Sequence, residues 1–208
     1  MNYITLIVTV AGIHLLAAIS PGPDFVMVVK NSLAHSRKVG IWTAVGFGLG
    51  IGVHVLYCLA GIAFIISQSI ILFNSIKLLG AGYLIYIGIR SFMSKSKKFD
   101  VEVEKKLDTM SAWGGVRSGF LTNVLNPKVS LLFLGLFTLM IPANTPSYVL
   151  GIIGVIVILQ TMLWFSFVAT ILTHNKVRSV FEKYQNIFNK TFGGLLVALG
   201  LKVALSKR

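Results

Sequence analysis

Long apolar runs without charge dominate the hydrophobic pattern of this chain. No Asp, Glu, Lys or Arg occurs at residues 39–76 or at residues 129–173. A membrane-spanning helix needs roughly 20 apolar residues, so each run has room for about two such helices. The apolar residues fill these runs instead of forming the one-sided stripes of soluble helices. The pattern therefore predicts an all-α membrane protein that crosses the bilayer several times.

Six hydrophobic segments divide the chain into two similar halves. They cover residues 3–32, 39–66, 70–93, 112–141, 148–173 and 187–205. The predicted domains are a first three-helix repeat (1–93), a cytoplasmic loop (94–111) and a second three-helix repeat (112–208). Residues 1–19 lack a basic start and a small-residue cleavage site, which predicts a retained helix rather than a removed signal peptide.

Composition supports the membrane class, and charge predicts the orientation. The chain has 208 residues, of which 55% are hydrophobic and only 12% charged, and its net charge is +13. The basic residues flank apolar segments without the interleaved aromatics of nucleic-acid binding, so we expect no nucleic-acid partner. Cytoplasmic loops of membrane proteins collect Lys and Arg. Fourteen basic residues fall on one side of the predicted topology and four on the other, which places both termini outside. The fourteen are Lys30, Arg37, Lys38, Arg90, Lys95, Lys97, Lys98, Lys105, Lys106, Arg117, Lys176, Arg178, Lys183 and Lys190.

Two of the six segments are interrupted by helix-breaking residues at the same predicted depth. Pro21-Gly22-Pro23 interrupts the first segment about 13 residues before its cytoplasmic end, and Asn126-Pro127 interrupts the fourth about 14 residues after its cytoplasmic start. At 1.5 Å per residue, both breaks lie roughly 20 Å from the cytoplasmic helix ends. The two segments run in opposite directions, which predicts a 3+3 inverted repeat with a site between helices 1 and 4 broken at the midplane.

Both breaks have the sequence of a helix start followed by a charge. Gly22 and Asn126 are suitable N-caps, Pro23 and Pro127 suit the first helical position, and Asp24 and Lys128 follow. The exposed N–H groups would bind a carboxylate, and the carbonyls that end the preceding half-helices would bind an ammonium. A zwitterionic amino acid would therefore satisfy both. As the sole acidic residue in the six segments, Asp24 is the candidate proton carrier. Lys128 either pairs with Asp24 or binds an anion. A plain proline kink with outward-reaching charges is the alternative.

Glycine patterns fit close helix packing. A run of four alternating glycines in the second segment lies in mid-membrane with no preceding strand, so packing explains it better than a nucleotide-binding loop. Similar glycine spacings in the third and sixth segments fit both packing and a duplicated ancestor. The residues are Gly46, Gly48, Gly50 and Gly52, then Gly80, Gly82 and Gly88, and Gly193, Gly194 and Gly200.

Other polar residues in the segments have less specific interpretations. His14 and His54 could relay protons, but histidines hydrogen-bonded between helices are the better explanation. Gln160 and Trp164 are one helical turn apart and either line the cavity or pack. The single cysteine, Cys58, offers no disulfide and no metal cluster.

Several motifs together resemble the LysE/RhtB family of bacterial amino-acid exporters. The resemblance implies a six-helix exporter of amino acids in the bacterial inner membrane that is proton-coupled and homodimeric. From the residues themselves we expect no cofactor and no metal. The chemistry of the breaks, rather than the resemblance, predicts Asp24 as the proton-coupling residue and neighbouring residues of the breaks as the substrate-binding ones. The motifs are Ser20-Pro21-Gly22-Pro23-Asp24, Arg37-Lys38-Val39-Gly40, Gly80-Ala81-Gly82-Tyr83-Leu84, Gly119-Phe120-Leu121-Thr122-Asn123 and Leu125-Asn126-Pro127-Lys128. The predicted substrate-binding residues are Ser20, Pro21, Gly22, Pro23, Asn123, Asn126, Pro127 and Lys128.

Other functions compete less well with a secondary exporter of an amino acid or a close derivative. Export of another small solute or of a metal ion is the alternative, although the ligand set in the segments is thin for a metal. A channel is a further possibility within transport. A membrane enzyme or electron conduit would need a nucleophile–base pair or paired cysteines. A scaffold would have no use for charged, broken helices.

Overall fold

The structure is a computed structural model, which describes residues 2–68, 70–94, 110–142, 144–171 and 175–205. Over these ranges the chain forms eight α-helices and no strand, which confirms the predicted all-α class. Most of the loop predicted over residues 94–111 lies outside the described residues. The helices are α1 (Tyr3–Ile19), α2 (Pro23–Ala34), α3 (Arg37–Gln68), α4 (Ile70–Phe92), α5 (Ala112–Val124), α6 (Pro127–Met140), α7 (Ser147–Ile171) and α8 (Asn175–Leu205).

The first predicted break separates α1 from α2. A proline pushes the residue before it out of the helical region, and both Ser20 and Gly22, which precede Pro21 and Pro23, are extended. Helix α2 restarts with Gly22 as its N-cap and Pro23 in its first turn. The two helices meet at a bend of 56°. The predicted helix start at Gly22-Pro23 is confirmed.

The second predicted break separates α5 from α6 in the same way. Asn126 is extended before Pro127, and its side-chain oxygen accepts a hydrogen bond of 3.0 Å from the Lys128 backbone N–H. This is an Asx N-cap with proline at the first helical position, as predicted from the sequence. The bend between the two helices is 58°. The two breaks are thus alike in chemistry and in angle.

Apolar helices of membrane-spanning length account for part of the predicted topology. Two helical stretches are each long and apolar enough to cross a membrane. They are Arg37–Ala60, within α3, and Ser147–Ile171, which is α7, with mean hydropathy of 1.7 and 2.3. The bent pairs α1–α2 and α5–α6 also qualify if each pair is one span. By length and composition, the described residues thus provide two spans, or up to four. The apolar part of α4, Leu78–Phe92, is shorter than a typical span, and six spans remain a prediction.

Helix α8 begins earlier than predicted. The sixth hydrophobic segment was expected to start at residue 187, but the helix starts at Asn175. In its first turns, apolar residues recur at Val177, Val180, Phe181 and Tyr184 among charged ones. This one-sided spacing is that of an amphipathic helix. A search for uniformly apolar runs misses such a helix, which explains the error.

Glycines bring α3 and α5 into backbone contact. A side chain at Gly46 would collide with the Val116 carbonyl oxygen and would come within 2.7 Å of the Phe120 nitrogen. Across the same interface, a side chain at Gly119 would collide with the Thr43 carbonyl oxygen. Small residues that allow such an approach are the usual means of packing helices in a membrane. The packing role predicted for Gly46 is confirmed.

The remaining glycines of the run in α3 face two different neighbours. A side chain at Gly48 would collide with Met162 of α7, whereas one at Gly50 would come within 2.6 Å of Asn123 Oδ1 in α5. Gly52 has more room, since its nearest neighbour, Ile158, would be 3.7 Å away. Alternate glycines thus accommodate α5 and α7 in turn.

A second close approach joins α4 to α8. A side chain at Gly88 would come within 2.7 Å of the Gly193 carbonyl oxygen. A side chain at Gly200 would come within 2.8 Å of the Ala81 carbonyl oxygen. Packing therefore explains these glycines. It does not explain Gly80, Gly82 and Gly194, where an added side chain would meet none of the described residues within 4 Å.

Two hydrophobic clusters flank the breaks. One surrounds α6, where Phe133 and Phe137 are buried against residues of α1, α3, α7 and α8. The other packs α2 against α3 and α7 and includes Phe25, Phe47 and Phe165. The space between the two clusters is where the ends of the broken helices meet.

Candidate functional site

A buried carboxylate from one break is bound by two amides from the other. Asp24, in the first turn of α2, is 7% exposed. Asn123 Nδ2 donates to Asp24 Oδ2 at 2.7 Å, and Asn126 Nδ2 donates to Asp24 Oδ1 at 2.9 Å. The Asn126 oxygen is already used by the Lys128 N–H, so its NH2 group is the part left to donate to the carboxylate. Both carboxylate oxygens therefore have partners.

Lys128 makes the converse contact, from the second break to the first. Its Nζ donates to the carbonyl oxygens of Ala17 and Ser20, at 3.1 and 2.8 Å, and lies 5.0 Å from the centre of the Phe192 ring. A cation opposes the dipole at the start of its own helix but is favoured at the end of another. The sequence suggested Asp24 or an anion as its partner. The structure instead gives Lys128 the carbonyls that end α1.

The two breaks thus stabilise each other crosswise. The charge at the start of α2 is held by residues at the end of α5 and the start of α6, and the charge at the start of α6 is held by the end of α1. Asn123 and Asn126 are 0% and 3% exposed, so these hydrogen bonds are shielded from solvent. Polar contacts in such surroundings are strong when fully satisfied and costly when broken. A plain proline kink would not bring these groups together.

His54 holds the second break from the side of α3. Its Nε2 is 3.1 Å from the Asn123 carbonyl oxygen, and its Nδ1 is 3.0 Å from the Tyr57 hydroxyl. That hydroxyl is also 3.0 Å from the Ser130 carbonyl oxygen, and it donates its single proton to one of these two acceptors at a time. Because a carbonyl only accepts, Nε2 carries the proton in the contact with Asn123. The hydrogen-bonded histidine predicted from the sequence is confirmed for His54.

His14 plays the same kind of role between α1 and α7. Its Nδ1 is 2.7 Å from Gln160 Oε1, and its Nε2 is 3.3 Å from Thr161 Oγ1. One turn further on, Trp164 Nε1 donates to the Ala18 carbonyl oxygen at 3.2 Å. Gln160 and Trp164 therefore pack α7 against α1, and the neighbouring Thr161 reaches the site, which the sequence did not single out.

A small cavity lies beside the buried carboxylate. It encloses about 40 Å³, enough for a few water molecules. Typical small-molecule sites enclose roughly 300–1,000 Å³, so this cavity is much smaller than such a site. We call it the inner cavity. It is lined by His14, Ala17, Ala18, Ser20, Gly22, Asp24, Phe25, Ile51, Asn123, Asn126, Lys128, Val129, Thr161 and Phe165.

A larger, open cavity lies on the other side of the breaks. It encloses about 520 Å³ between the two breaks, α4 and α8, and we call it the vestibule. Seven of the eight predicted substrate-binding residues line it, and Asn123 and Asp24 line only the inner cavity. The seven are Ser20, Pro21, Gly22, Pro23, Asn126, Pro127 and Lys128. From α4 and α8 it gains residues that the sequence analysis missed, including Tyr86, Arg90 and Phe192, because no local motif marks them.

The site is poor in metal ligands. Within the described ranges, no group of three His, Cys, Asp or Glu residues is placed to hold a metal ion. Cys58 is buried and free. The chemistry of the site is that of one carboxylate, one ammonium, amides and the ends of helices.

Comparison with known proteins identifies the family. The family model described as LysE type translocator matches residues 15–207. An uncharacterised membrane protein of Bacillus subtilis, YrhP, is 33% identical over 195 residues, covering 90% of this chain and 93% of YrhP. A threonine efflux protein of Salmonella typhi is 28% identical and covers 96% of this chain and 97% of its own length. A homoserine/homoserine lactone efflux protein of Salmonella typhimurium is 24% identical, with 92% of each chain covered.

No solved structure matches the chain significantly. The family resemblance predicted from the motifs is confirmed by the family match, which covers almost the whole chain. With its apolar helices and crosswise pair of breaks, this chain belongs to the LysE type translocator family and is a multi-pass membrane transport protein, not an enzyme.

Proposed function

We propose that this protein exports an amino acid or a close derivative from the cytoplasm by proton antiport. The observation that carries the proposal is the crosswise site, in which a buried carboxylate and an ammonium are held at the ends of broken helices. The efflux activities named for its threonine and homoserine relatives support the same class of substrate. Export of another small solute or a metal ion is the alternative.

The site matches a zwitterion because one of its own charged groups is already paired as the substrate would be, with an ammonium bound to backbone carbonyls. An ammonium group binds the carbonyls that end α1, in this case that of Lys128. A substrate ammonium could use the same carbonyls, and a substrate carboxylate could then bind the released Lys128 and the N–H groups that begin α2 and α6. The residues of the two breaks are therefore the proposed substrate-binding residues.

Asp24 is the proposed proton carrier. It is the acidic residue of the apolar segments, and intramembrane carboxylates commonly mark proton pathways. Its two amide partners come from the opposite break, so movement of one break relative to the other would change the environment of the carboxylate. Such a change would let Asp24 bind a proton on one side and release it on the other.

The proposed architecture is a 3+3 inverted repeat with the units 1–93 and 112–208. The similar bends of 56° and 58° in the two broken pairs support it. Part of the helix packing also supports it, because α1 packs on α7 as α5 packs on α3, and α2 packs on α7 as α6 packs on α3. Other pairings differ between the halves, since α2 packs closely on α3 but α6 does not pack closely on α7. Substrate would bind between the repeats, as in other inverted-repeat transporters. A homodimer remains a prediction from the family resemblance alone.

The proposed orientation in the inner membrane places both termini outside, and cysteine labelling tests it. In a Cys58→Ser background, cysteines at Ser96 and Asn175 should react only from the cytoplasm. Cysteines at Ser69 and Asn144 should react only from the outside. Ser69 and Ser96 lie outside the described residues and are chosen from the sequence. Labelling of Asn144 and Asn175 cysteines from the same side would contradict a spanning α7 and with it the repeat.

Transport by an Asn126→Ala variant tests the site itself. The substitution removes the N-cap of α6 and one donor to Asp24. Loss of a cap costs about 1 kcal/mol, and loss of a hydrogen bond to a charged group costs about 1.5–3 kcal/mol. We expect the KM for amino-acid uptake into inside-out vesicles to rise by about tenfold to a hundredfold.

The matched control is Asn2→Ala. Asn2 caps α1 through the Ile4 N–H at 3.0 Å, which is the same chemistry at a distance from the site. We expect this variant to lose a similar cap energy and to keep the wild-type KM. Equal KM values for the Asn126 variant and the wild type, with normal amounts of folded protein, would place the substrate site elsewhere.

A further inference from the structure

The vestibule has the size and the lining of a binding site in its own right. Its volume of about 520 Å³ falls in the range of small-molecule sites. Helix α4 contributes Tyr83, Tyr86 and Arg90, and helix α8 contributes Asn189 and Phe192. Aromatic walls with a few polar groups are typical of such sites.

Among the described residues, the charged groups that line the vestibule are all of one sign. Arg90 and Lys128 line it, and the described residues that surround it include no Asp or Glu. A cavity lined by charges of one sign raises the local concentration of ligands with the opposite charge. The vestibule therefore favours an anion.

The Arg90 side chain is oriented by its neighbour and has donors to spare. Its Nη1 donates to the Tyr86 hydroxyl at 3.1 Å, and its guanidinium lies 5.9 Å from the centre of the Tyr86 ring. A guanidinium has five N–H donors in a planar fork that matches a carboxylate. Tyr86 thus holds the group in place while most of its donors remain available for a ligand.

Lys128 stands where the vestibule meets the inner cavity. It lines both, as do Ser20, Gly22 and Asn126. A side chain at Gly22 would lie 3.6 Å from Lys128 Nζ, so the two breaks come close together at this point. A ligand that leaves the vestibule for the inner cavity would pass this ammonium.

We propose that the vestibule is a docking site for the carboxylate of the exported amino acid, where Arg90 binds the carboxylate before it passes to Lys128. The proposal rests on the proposed function and adds to it a second binding site, on the side of the breaks away from Asp24. Tyr86 is the positioning residue that holds the guanidinium. The two cations act in succession, with Arg90 at the entrance and Lys128 at the break.

The experiment measures initial rates of threonine uptake into inside-out vesicles. Arg90→Gln should raise the KM about tenfold with little change in Vmax, because a charge-assisted contact is lost on docking. Arg90→Lys should recover part of the loss, since a lysine keeps the charge without the fork. Arg117→Gln is the matched control, because Arg117 is also exposed and near the predicted cytoplasmic surface but does not line the vestibule.

Competition by threonine amide separates carboxylate binding from a general effect of surface charge. The amide lacks the carboxylate, so it should compete poorly against threonine in the wild type. In Arg90→Gln, the preference for threonine over threonine amide should fall by about the same factor as that by which the KM for threonine rises. An unchanged KM and preference in Arg90→Gln, or equal losses in Arg117→Gln, would overturn the docking site.

These outcomes are distinct from failure of the proposed function. If wild-type vesicles take up none of the twenty standard amino acids and no close derivative such as homoserine, the export proposal itself is wrong. If the screen identifies an amino acid other than threonine, that amino acid and its amide replace threonine and threonine amide in the competition experiment. Comparable amounts of each variant in the membrane confirm that the exposed substitutions have not prevented folding.

Discussion

Asp24→Asn is expected to abolish accumulation of the amino acid driven by a pH gradient, while exchange of amino acid across the membrane continues. The asparagine keeps the shape of the side chain but cannot take up and release a proton. It also presents an NH2 group toward one of the two amides that now donate to the carboxylate. One buried hydrogen bond is then lost, at a cost of about 1–3 kcal/mol, which a folded variant can tolerate.

The measurement compares uphill uptake with counterflow in the same inside-out vesicles. One proton moving through 100 mV supplies ~2.3 kcal/mol, which sustains a gradient of about fiftyfold. The wild type should approach that ratio, and Asp24→Asn should reach no more than equal concentrations. Counterflow at a substantial rate shows that the variant is folded and binds substrate. Wild-type accumulation by Asp24→Asn would rule out a coupling role for this carboxylate.

Lys128→Met should reduce the transport rate at least tenfold. Methionine has a similar length but cannot donate, so the Ala17 and Ser20 carbonyl oxygens lose the partner that the structure gives them. Each buried acceptor without a partner costs about 1–3 kcal/mol. The substrate carboxylate would also lose the cation proposed to receive it. We expect the amount of folded protein to fall moderately and transport per molecule to fall much further.

Lys30→Met is the matched control, because Lys30 is an exposed lysine on α2. It should leave both the KM and the rate within about twofold of the wild type, since surface substitutions usually change little. A double-mutant cycle with Asp24→Asn should give less than the sum of the two losses, because the opposite charges of Asp24 and Lys128 attract each other across the breaks. Retention of full transport by Lys128→Met would remove this residue from the mechanism.

The sequence was sufficient for the features that depend on neighbouring residues. Proline and its preceding residue determine where α1 and α5 end, and the Asn126 cap needs only Pro127 and Lys128 beside it. The close packing of Gly46 could also be anticipated, because a glycine run within an apolar segment has few other uses. These predictions succeeded since each relies on local backbone chemistry.

Predictions that depend on distant contacts were incomplete. The partners of Lys128 lie 108 and 111 positions away, and a charge alone does not reveal which carbonyls it will meet. Thr161 rather than Gln160 lines the cavity because the rotation of α7 is determined by its packing on α1 and α3. From the sequence, Arg90 is only one of the charges that indicate the cytoplasmic side, since its place in the vestibule depends on the packing of α4 against α8.

The contact between Lys128 and the end of α1 has a consequence for the empty transporter. Backbone carbonyl oxygens also bind K⁺, as in the filters of potassium channels, and a carbonyl cluster without a ligand would be an entry point for metal cations. Here a tethered ammonium already occupies it, and tethering gives that group a high effective concentration. Free cations in the surrounding solution therefore compete poorly. Without substrate, the protein should not conduct ions. It should therefore not dissipate the membrane potential on which its own transport would depend.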